Sequence, residues 1–517
     1  MAERHLLSSR LVVDGDFVVA RVDDRLFGSF VEHLGRCVYG GIYEPGHPSA
    51  DGEGFRGDVI DLVRELGVSA VRYPGGNFVS GYRWEDGVGP VDGRPRRLDL
   101  AWHSTETNRF GLHEMASWLG KVGGNELMEA VNLGTRGLRD ALDLVEYANV
   151  PSGTALSDRR RANGAEEPFG IRMWCLGNEM DGPWQLGHKE AGEYAALAAS
   201  VAAGMRQIDP GLELVVCGSS GHGMATFGDW ERTVLDRTYE LVDFVSCHAY
   251  YHPERLADGS RDMASFLASG VDMDGFIRDV ASCIDATRAR LKSGHEVSIS
   301  FDEWNVWYID DEPSRAPEGV GNWPSAPRLL EDVYGAADAV VVGDLLITLL
   351  RNADRVGSAS LAQLVNVIAP IMTEPGGPAW RQTTFYPFAL TARYARGGTV
   401  LEPRLSAGTA DTAKYGEVPA VDAVAVRGGD GSLSVFVVNR DLGREASFEV
   451  AVPQGAGRVW RERVALTLHD DDLYACNTLG DQLRVVPHDN ATLKVDEADG
   501  SLSITLPPVS WTVIHLS

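Results

Sequence analysis

Short apolar runs rich in β-branched residues alternate with stretches of helical periodicity from about residue 26 to residue 396. Runs of this length, bounded by polar turns, are typical of strands that are buried on both faces. Eight of them predict strands, which are Leu26–Phe30, Val68–Tyr73, Leu127–Asn132, Ile171–Leu176, Leu212–Cys217, Phe244–Ala249, Val297–Glu303 and Ala359–Val365.

Helical patterns lie between these runs, at 136–149, 190–208, 331–353 and 385–396. The segment 331–353 is apolar over most of its surface, which predicts a buried helix. Eight alternations of strand and helix indicate an α/β protein with a (β/α)₈ TIM barrel. A doubly wound open sheet would alternate in the same way, but no glycine-rich dinucleotide loop follows the first strand.

The chain changes character after about residue 397, where short strands are separated by Gly, Asp and Pro turns. This pattern predicts a C-terminal all-β sandwich (jelly-roll) domain of roughly 120 residues. Residues 6–22 resemble a pair of strands and are predicted to join that sandwich. The predicted division is 1–22 for the N-terminal strands, 23–396 for the catalytic barrel and 397–517 for the sandwich.

Composition excludes several classes of protein. The chain has 517 residues, 44% of them hydrophobic, and a net charge of −27 at pH 7. This size allows a large core and two domains. Nucleic acids and anionic membranes bind basic surfaces, so the acidic chain predicts neither as a partner. A neutral substrate is compatible with this charge.

Targeting signals and disulfides are not predicted either. The start, MAERHLLSSRLVVDGDF, lacks the apolar run of a signal peptide. The six cysteines are scattered without a CxxC pair, which indicates reduced thiols and no zinc site. Together these features predict a cytoplasmic protein.

Polar and aromatic side chains stand at the ends of the predicted strands, where a TIM barrel carries its active site. None of them forms a His or Cys cluster with metal spacing, so no metal is predicted. Along the chain they are Glu32, Arg72, Asn77, Trp102, Asn178, Glu179, His248, Tyr250, Glu303, Trp304, Trp307 and Gln363.

Glu179 on the fourth strand and Glu303 on the seventh face each other across the mouth of an eight-stranded barrel. Glycoside hydrolysis needs two such carboxyl groups, one to protonate the leaving oxygen and one to attack the anomeric carbon or to activate water. The proton donor needs burial or a negative neighbour, and the other group must stay ionised, which a cation such as Arg72 favours.

Each of these residues also has a structural explanation. A single glutamate at a strand end is usually a solvated loop residue, whereas a buried amide such as Gln363 needs partners. The GSSGHG loop at 218–223 lacks the patterns of a phosphate loop and of a nucleophile elbow, and is predicted to be an ordinary βα loop. A core role is open for Trp304 and Trp307, and a turn role is open for Asn77. A structural hydrogen-bonding role is open for His33 and His248. The convergence of so many residues at one barrel end favours an active site.

Long motifs in this chain resemble glycoside hydrolase family 51, the α-L-arabinofuranosidases. The resemblance runs from about residue 12 to the C-terminus. It is carried by FGSFVEHLGRCVYGGIYEP, VRYPGGNFVSGYRWEDGVGP, WCLGNEMDGPWQLGHK, SFDEWNVWY and LAQLVNVIAPIMTEPGG.

The resemblance implies a retaining, exo-acting enzyme in which Glu179 is the acid/base and Glu303 is the nucleophile. It implies that Arg72 supports the nucleophile and that Trp102 and Trp307 line the pocket. Binding of the arabinofuranosyl unit is implied for Glu32, Asn77, Asn178, Tyr250 and Gln363. Members of the family are similar in needing no cofactor and in often forming hexamers.

The residues alone distinguish neither a furanose from a pyranose nor the role of each carboxylate. A β-xylosidase or an endo-glucanase on the same scaffold, or a carbohydrate-binding protein without turnover, therefore stays open at this point. The linkage preference stays open as well.

Asn178 and Glu179 are neighbours in the sequence, and neighbouring side chains of a regular strand point to opposite faces. Both reach one sugar only if the strand ends or bulges between them. We therefore expect irregular backbone at Gly177–Glu179, which Gly177 permits.

Overall fold

Eight parallel strands close into a barrel in which each strand pairs with the next along the chain. The structure is a computed structural model that describes residues 6–309, 314–452, 460–496, 498 and 500–517. The first to eighth barrel strands are Gly28–Phe30, Ala70–Tyr73, Glu126–Val131, Met173–Leu176, Glu213–Cys217, Phe244–Tyr251, Ser298–Val306 and Val356–Leu361. The predicted (β/α)₈ barrel is confirmed.

Most strand boundaries differ from the prediction by one to four residues, and the first and eighth strands show why. The first strand begins only at Gly28, because Asp24–Phe27 forms a 3-10 turn whose Leu26 and Phe27 are buried. The eighth strand ends at Leu361, so that Gln363 follows the strand and does not belong to it. In both cases the buried apolar run is longer than the strand, because burial does not require strand geometry.

Helices connect the barrel strands. Among the described residues they are Gly57–Leu66, Leu112–Val122, Leu138–Asn149, Ala155–Ala162, Ala191–Ile208, Asp229–Thr238, Met263–Leu267, Ser269–Leu291, Ala336–Arg351 and Phe385–Ala395. None of these helices combines the length and the apolarity that a bilayer crossing requires.

Two β-sheets form the sandwich, and each takes in one N-terminal strand. Leu7–Val12 lies between Arg404–Ala407 and Ala446–Ala451 in a five-stranded sheet. Val18–Arg21 pairs with Thr399–Leu401 at the edge of a seven-stranded sheet. The predicted fold class, in which the sandwich also uses the N-terminal strands, is thus confirmed.

The other sandwich strands complete these two sheets. The five-stranded sheet also contains Lys494–Asp496 and Ser501–Leu506, and the seven-stranded sheet contains Val421–Arg427, Leu433–Asn439, Arg463–Leu468, His488–Asp489 and Ser510–Leu516. Residues 1–5 of the predicted segment 1–22 lie outside the described residues. The division into 1–22, 23–396 and 397–517 stays a prediction.

The helix Ala336–Arg351 packs between the barrel and the sandwich. It contacts the seventh barrel strand and the strands Val421–Arg427 and Leu433–Asn439. All of its residues except Arg351 are buried, as the apolar pattern predicts. The approach is closest at Gly343, where an added Cβ atom would lie 2.1 Å from Cδ1 of the buried Trp511.

We expect Gly343→Ala to destabilise the protein by about 1–3 kcal/mol, because neither the helix nor the buried indole has room for a methyl group. Gly120→Ala is the matched control, since Gly120 is also helical but has open space around its Cβ position. That variant is expected to be neutral or up to about 1 kcal/mol more stable. Thermal unfolding of both variants tests this, and a wild-type midpoint for Gly343→Ala would contradict the packing argument.

Candidate active site

A cavity of about 910 Å³ opens at the C-terminal ends of the barrel strands. Nine of the sequence-predicted site residues line it, namely Glu32, Asn77, Trp102, Glu179, His248, Tyr250, Glu303, Trp307 and Gln363. This volume lies toward the upper end of the range for small-ligand sites, and it accommodates more than a single monosaccharide. The barrel therefore brings the predicted residues together at one site.

The backbone becomes irregular immediately before Glu179. The fourth strand ends at Leu176, and Gly177 and Glu179 both have positive φ angles, of 92° and 44°. This confirms the irregularity expected at Gly177–Glu179. The Asn178 amide oxygen accepts a hydrogen bond of 2.6 Å from Arg72 Nη2, whereas Glu179 reaches the cavity.

Arg72 and Asn178 lie behind the cavity wall. They are not among its lining residues in the described part of the chain, and each is 1% exposed. Arg72 Nη1 donates to Glu303 Oε1 at 2.7 Å, and Asn178 Nδ2 lies 3.4 Å from Asn77 Oδ1. The structure thus places these two predicted residues in support of groups that face the cavity.

Glu303 is held by two hydrogen-bond donors and by a third, positively charged neighbour. Besides the bond from Arg72, the Tyr250 hydroxyl donates to Oε2 at 2.6 Å, and His248 Nδ1 lies 3.7 Å from the same oxygen. Burial alone would raise the pKa of the Glu303 carboxyl. The positive charges of His248 and Arg72 and the hydrogen bonds outweigh it and hold that pKa below its usual value. Glu303 is therefore ionised at neutral pH.

His248 lies between three carboxylates. Its Nδ1 is 2.9 Å from Glu179 Oε1, and its Nε2 is 3.0 Å from Asp302 Oδ1. Burial would lower the pKa of this imidazole, but the negative charge of Glu303 and the hydrogen bonds to Asp302 and Glu179 raise it well above its usual value. His248 therefore carries a positive charge at neutral pH.

One oxygen of Glu179, one oxygen of Glu303 and a ring nitrogen of His248 all lie within 4.8 Å of one another. Such a cluster resembles a set of metal ligands. The contacts of His248 Nδ1 with Glu179 Oε1 at 2.9 Å and with Glu303 Oε2 at 3.7 Å show that the imidazole itself bridges the two carboxylates.

Glu32 is a further buried carboxyl group that lines the cavity. Its Oε1 accepts hydrogen bonds of 2.9 Å from the Phe78 backbone N–H and from Trp102 Nε1, and its Oε2 accepts one of 3.0 Å from Gln363 Nε2. Burial raises the pKa of Glu32 to about 8, with the negative charge of Glu303 adding to the rise. Glu32 can therefore both donate and accept hydrogen bonds near neutral pH.

One polar atom of Gln363 is left without a hydrogen-bond partner among the described residues. That atom is Oε1, which is buried although the side chain lines the cavity. A buried amide oxygen without a partner is costly. A hydroxyl group of a bound ligand would satisfy it.

Aromatic side chains form further parts of the wall. Trp307 packs edge-to-face on Tyr250, with ring centroids 5.2 Å apart, and donates to Ser314 Oγ at 2.9 Å. Trp184 donates to Glu179 Oε2 at 2.6 Å and is 53% exposed, so that a face of its indole is open to a ligand. Trp304 is fully buried in the core, which settles its role as a core aromatic.

Several residues at or beside the site received no role from the sequence, among them Asp302, Trp184, His222 and Lys414. Asp302 directly precedes the predicted Glu303. Trp184 lies within WCLGNEMDGPWQLGHK, one of the motifs that carry the family resemblance. The loop predicted to be ordinary contributes His222 to the cavity lining. Lys414 comes from the sandwich hairpin Thr409–Thr412 and Gly416–Pro419, which no local pattern connects with the barrel.

This arrangement can carry acid–base and nucleophilic chemistry on a neutral, hydroxyl-rich ligand. One carboxylate is ionised and held by cations, a second lies nearby on the same imidazole, and amides and indoles surround both. These are the groups that cleavage of a glycosidic bond requires.

Comparison with known proteins agrees with this chemistry. Residues 62–267 match the family model described as the α-L-arabinofuranosidase 1 domain, and residues 302–510 match the α-L-arabinofuranosidase C-terminal domain. A Bifidobacterium longum protein named exo-α-(1→6)-L-arabinofuranosidase is 73% identical, over 99% of this chain and 98% of the relative. A Streptomyces lividans protein named intracellular exo-α-(1→5)-L-arabinofuranosidase is 59% identical, over 98% of this chain and 75% of the relative.

A solved structure gives the same result. The family 51 α-L-arabinofuranosidase of Bifidobacterium longum superimposes with a TM-score of 0.92 at 51% identity, covering 98% of this chain and 99% of that chain. Sequence identity of this extent, over nearly the full length of both chains, shows common ancestry as well as a common fold. The chain therefore belongs to glycoside hydrolase family 51, the α-L-arabinofuranosidases.

Proposed function

We propose that the protein is an exo-acting α-L-arabinofuranosidase that works with retention of anomeric configuration. Its substrates are arabino-oligosaccharides and fragments of arabinan or arabinoxylan, from which it releases the terminal arabinofuranosyl unit. The observation that carries the proposal is the approach of a Glu179 oxygen to a Glu303 oxygen within 4.8 Å. Retaining enzymes have carboxyl groups roughly 5–5.5 Å apart, and inverting enzymes roughly 6.5–9.5 Å apart.

Glu303 is the nucleophile in this proposal. Its ionised carboxylate attacks the anomeric carbon, the glycosidic bond breaks, and the leaving oxygen takes a proton from Glu179. Glu179 then removes a proton from water, whose oxygen displaces Glu303 from the anomeric carbon. Support comes from the hydrogen bonds of Arg72 and Tyr250, which hold Glu303 in its charged form.

The sugar hydroxyls bind in the same cavity, at Glu32, Asn77, Gln363 and Tyr250. The unpartnered oxygen of Gln363 supports this assignment, since a hydroxyl donor would satisfy it. Arg72 and Asn178 act through their contacts with Glu303 and Asn77. Trp102, Trp307 and Trp184 supply apolar faces for the sugar unit and the leaving group.

The stereochemical outcome tests the proposal directly. Proton NMR during hydrolysis of an arabinofuranosyl disaccharide is expected to show the α-anomer of arabinose first, with the β-anomer appearing only by mutarotation. The β-anomer as first product would refute retention, and the absence of hydrolysis of every α-L-arabinofuranoside would refute the activity itself. Defined (1→5)- and (1→6)-linked oligosaccharides in the same assay give the linkage preference.

We further propose a cytoplasmic location and assembly into a hexamer. Relatives from Streptomyces lividans and Bacillus subtilis carry the word intracellular in their names, which supports the location. The hexamer rests on the family resemblance. Sedimentation velocity of the purified protein distinguishes a hexamer from smaller assemblies.

A further inference from the structure

The imidazole of His248 is the feature that links the two carboxylates of the site. It is 2% exposed, and each ring nitrogen faces a carboxylate oxygen, Glu179 Oε1 on one side and Asp302 Oδ1 on the other. A neutral imidazole has one N–H and one lone pair, so both nitrogens donate to carboxylates only in the charged form. The imidazole therefore carries a positive charge in the state in which Glu179 is ionised. While Glu179 is protonated, the nearby Glu303 and Asp302 carboxylates supply the negative charge that retains the imidazolium.

Asp302 reaches His248 because the seventh strand is irregular. Its pairing with the sixth strand shifts register between Ser246 and His248, and its pairing with the eighth shifts between Phe301 and Trp304. The extra residue lets the consecutive Asp302 and Glu303 both approach the imidazole, which a regular strand would not allow.

We propose that His248, held by Asp302, is a positioning residue whose single positive charge is shared by Glu179 and Glu303 throughout the reaction. This inference rests on the double displacement proposed above. In each half reaction the negative charge passes from one of these two carboxylates to the other, and both of them contact the same imidazolium.

In the first half reaction Glu303 begins as a carboxylate and Glu179 as an acid. Attack on the anomeric carbon turns Glu303 into a neutral ester, while transfer of the Glu179 proton to the leaving oxygen turns Glu179 into a carboxylate. One negative charge has moved from Glu303 to Glu179, and water returns it in the second half reaction. His248 Nδ1 is 3.7 Å from Glu303 Oε2 and 2.9 Å from Glu179 Oε1, so it contacts both ends of this exchange.

Arg72 cannot stabilise both carboxylates in this way. It donates to Glu303 and to Asn178, and no contact between its guanidinium and Glu179 is present in the described structure. A cation placed at only one carboxylate favours one half reaction at the expense of the other. Charges interact strongly in a site with so little solvent, so a cation between both groups lowers the cost of the transfer in each direction.

Asp302 keeps the imidazole charged and oriented. It is fully buried, and its second oxygen lies 3.7 Å from Arg72 Nε and 3.9 Å from Cys175 Sγ. The titratable and charged groups that surround His248, directly or through these contacts, are Glu179, Asp302, Glu303, Arg72, Tyr250 and Cys175. Of these, only the carboxylates contact the imidazole nitrogens among the described residues.

The test is Asp302→Asn, which keeps an acceptor for Nε2 but removes its charge. Without Asp302, burial favours neutral His248, so the imidazole loses its proton at lower pH and Glu303 loses a cation. The acidic limb of kcat/KM, which reports the ionisation of Glu303, is therefore expected to move to higher pH by about one unit. At the optimum, kcat/KM for an arabinofuranosyl disaccharide is expected to fall about 10- to 100-fold.

The leaving group separates this role from a structural one. Nitrophenolate departs without a proton, so 4-nitrophenyl arabinofuranoside is expected to lose less kcat/KM than the disaccharide, for which the new charge on Glu179 must be stabilised. His248→Gln is the second variant, because its amide retains a donor toward Glu179 without the charge, and it should move the acidic limb to higher pH in the same way.

Asp422→Asn is the matched control, since Asp422 is a buried carboxylate paired with Arg440 and Arg351 at the contact with the sandwich. Its pH limbs should stay in place. Wild-type limbs and equal losses on both substrates in folded Asp302→Asn and His248→Gln would overturn the inference. Failure of the wild-type protein to hydrolyse either substrate would instead refute the proposed function.

Discussion

Replacing Glu303 by alanine is expected to lower kcat on the order of 10⁴-fold or more, because the reaction loses the group that forms the covalent intermediate. The loss should be as complete for 4-nitrophenyl arabinofuranoside as for a disaccharide, since neither leaving group replaces a nucleophile. Steady-state kinetics on both substrates, with circular dichroism to verify folding, measure the effect. Near wild-type turnover would show that another residue is the nucleophile.

Added azide provides a second test of this variant, because the anion can replace the missing nucleophile. The truncated side chain leaves space beside Arg72 and Tyr250, and a small anion there can attack the anomeric carbon from the face that Glu303 used. Turnover of the nitrophenyl substrate should then return and yield a glycosyl azide of inverted configuration. A retained azide product would mean that another residue still forms the covalent intermediate and that Glu303 is not the nucleophile.

Replacing Glu179 by alanine is expected to affect substrates in proportion to their need for an acid. For a disaccharide, kcat/KM should fall about 10²- to 10⁴-fold, the usual contribution of general acid catalysis. For 4-nitrophenyl arabinofuranoside, kcat/KM should change little, whereas kcat should fall because no base activates water in the second step. A burst of nitrophenol followed by slow turnover is the kinetic signature.

Azide again distinguishes the roles. In Glu179→Ala it takes the place of water in the second step, so the glycosyl azide should have retained configuration, opposite to that from Glu303→Ala. Equal losses of kcat/KM on both substrates would contradict the acid/base assignment of Glu179. The two alanine variants thus serve as controls for each other.

The barrel and the meeting of Glu179 with Glu303 could be predicted from the sequence. Both follow from the hydrophobic periodicity and from the order of the strands and helices along the chain. Eight alternations specify a closed parallel sheet, and a closed parallel sheet gathers its C-terminal strand ends at one mouth. The boundaries were less predictable, as Leu26 and Phe27 show. An apolar run indicates that a segment is buried, and a 3-10 turn can be buried just as a strand can.

Asp302 and His248 could not be assigned in this way. Strand alternation places Asp302 on the face opposite Glu303, and only the register shift of the seventh strand brings both to the imidazole. Histidine in a strand is more often a structural hydrogen bonder, so His248 by itself gave no reason for a catalytic role. Lys414 was equally hidden, because its position depends on how the sandwich packs on the barrel.

The pairing of Leu7–Val12 with Arg404–Ala407 and Ala446–Ala451 has a consequence for biosynthesis. A ribosome adds about 5–20 residues per second, so the first strand waits on the order of tens of seconds for its neighbours to emerge. The barrel sequence is complete by then, since its last helix ends at Ala395. The sandwich is thus the last part of the molecule to assemble, and a nascent chain halted near residue 400 would expose the apolar helix Ala336–Arg351 to chaperones and proteases.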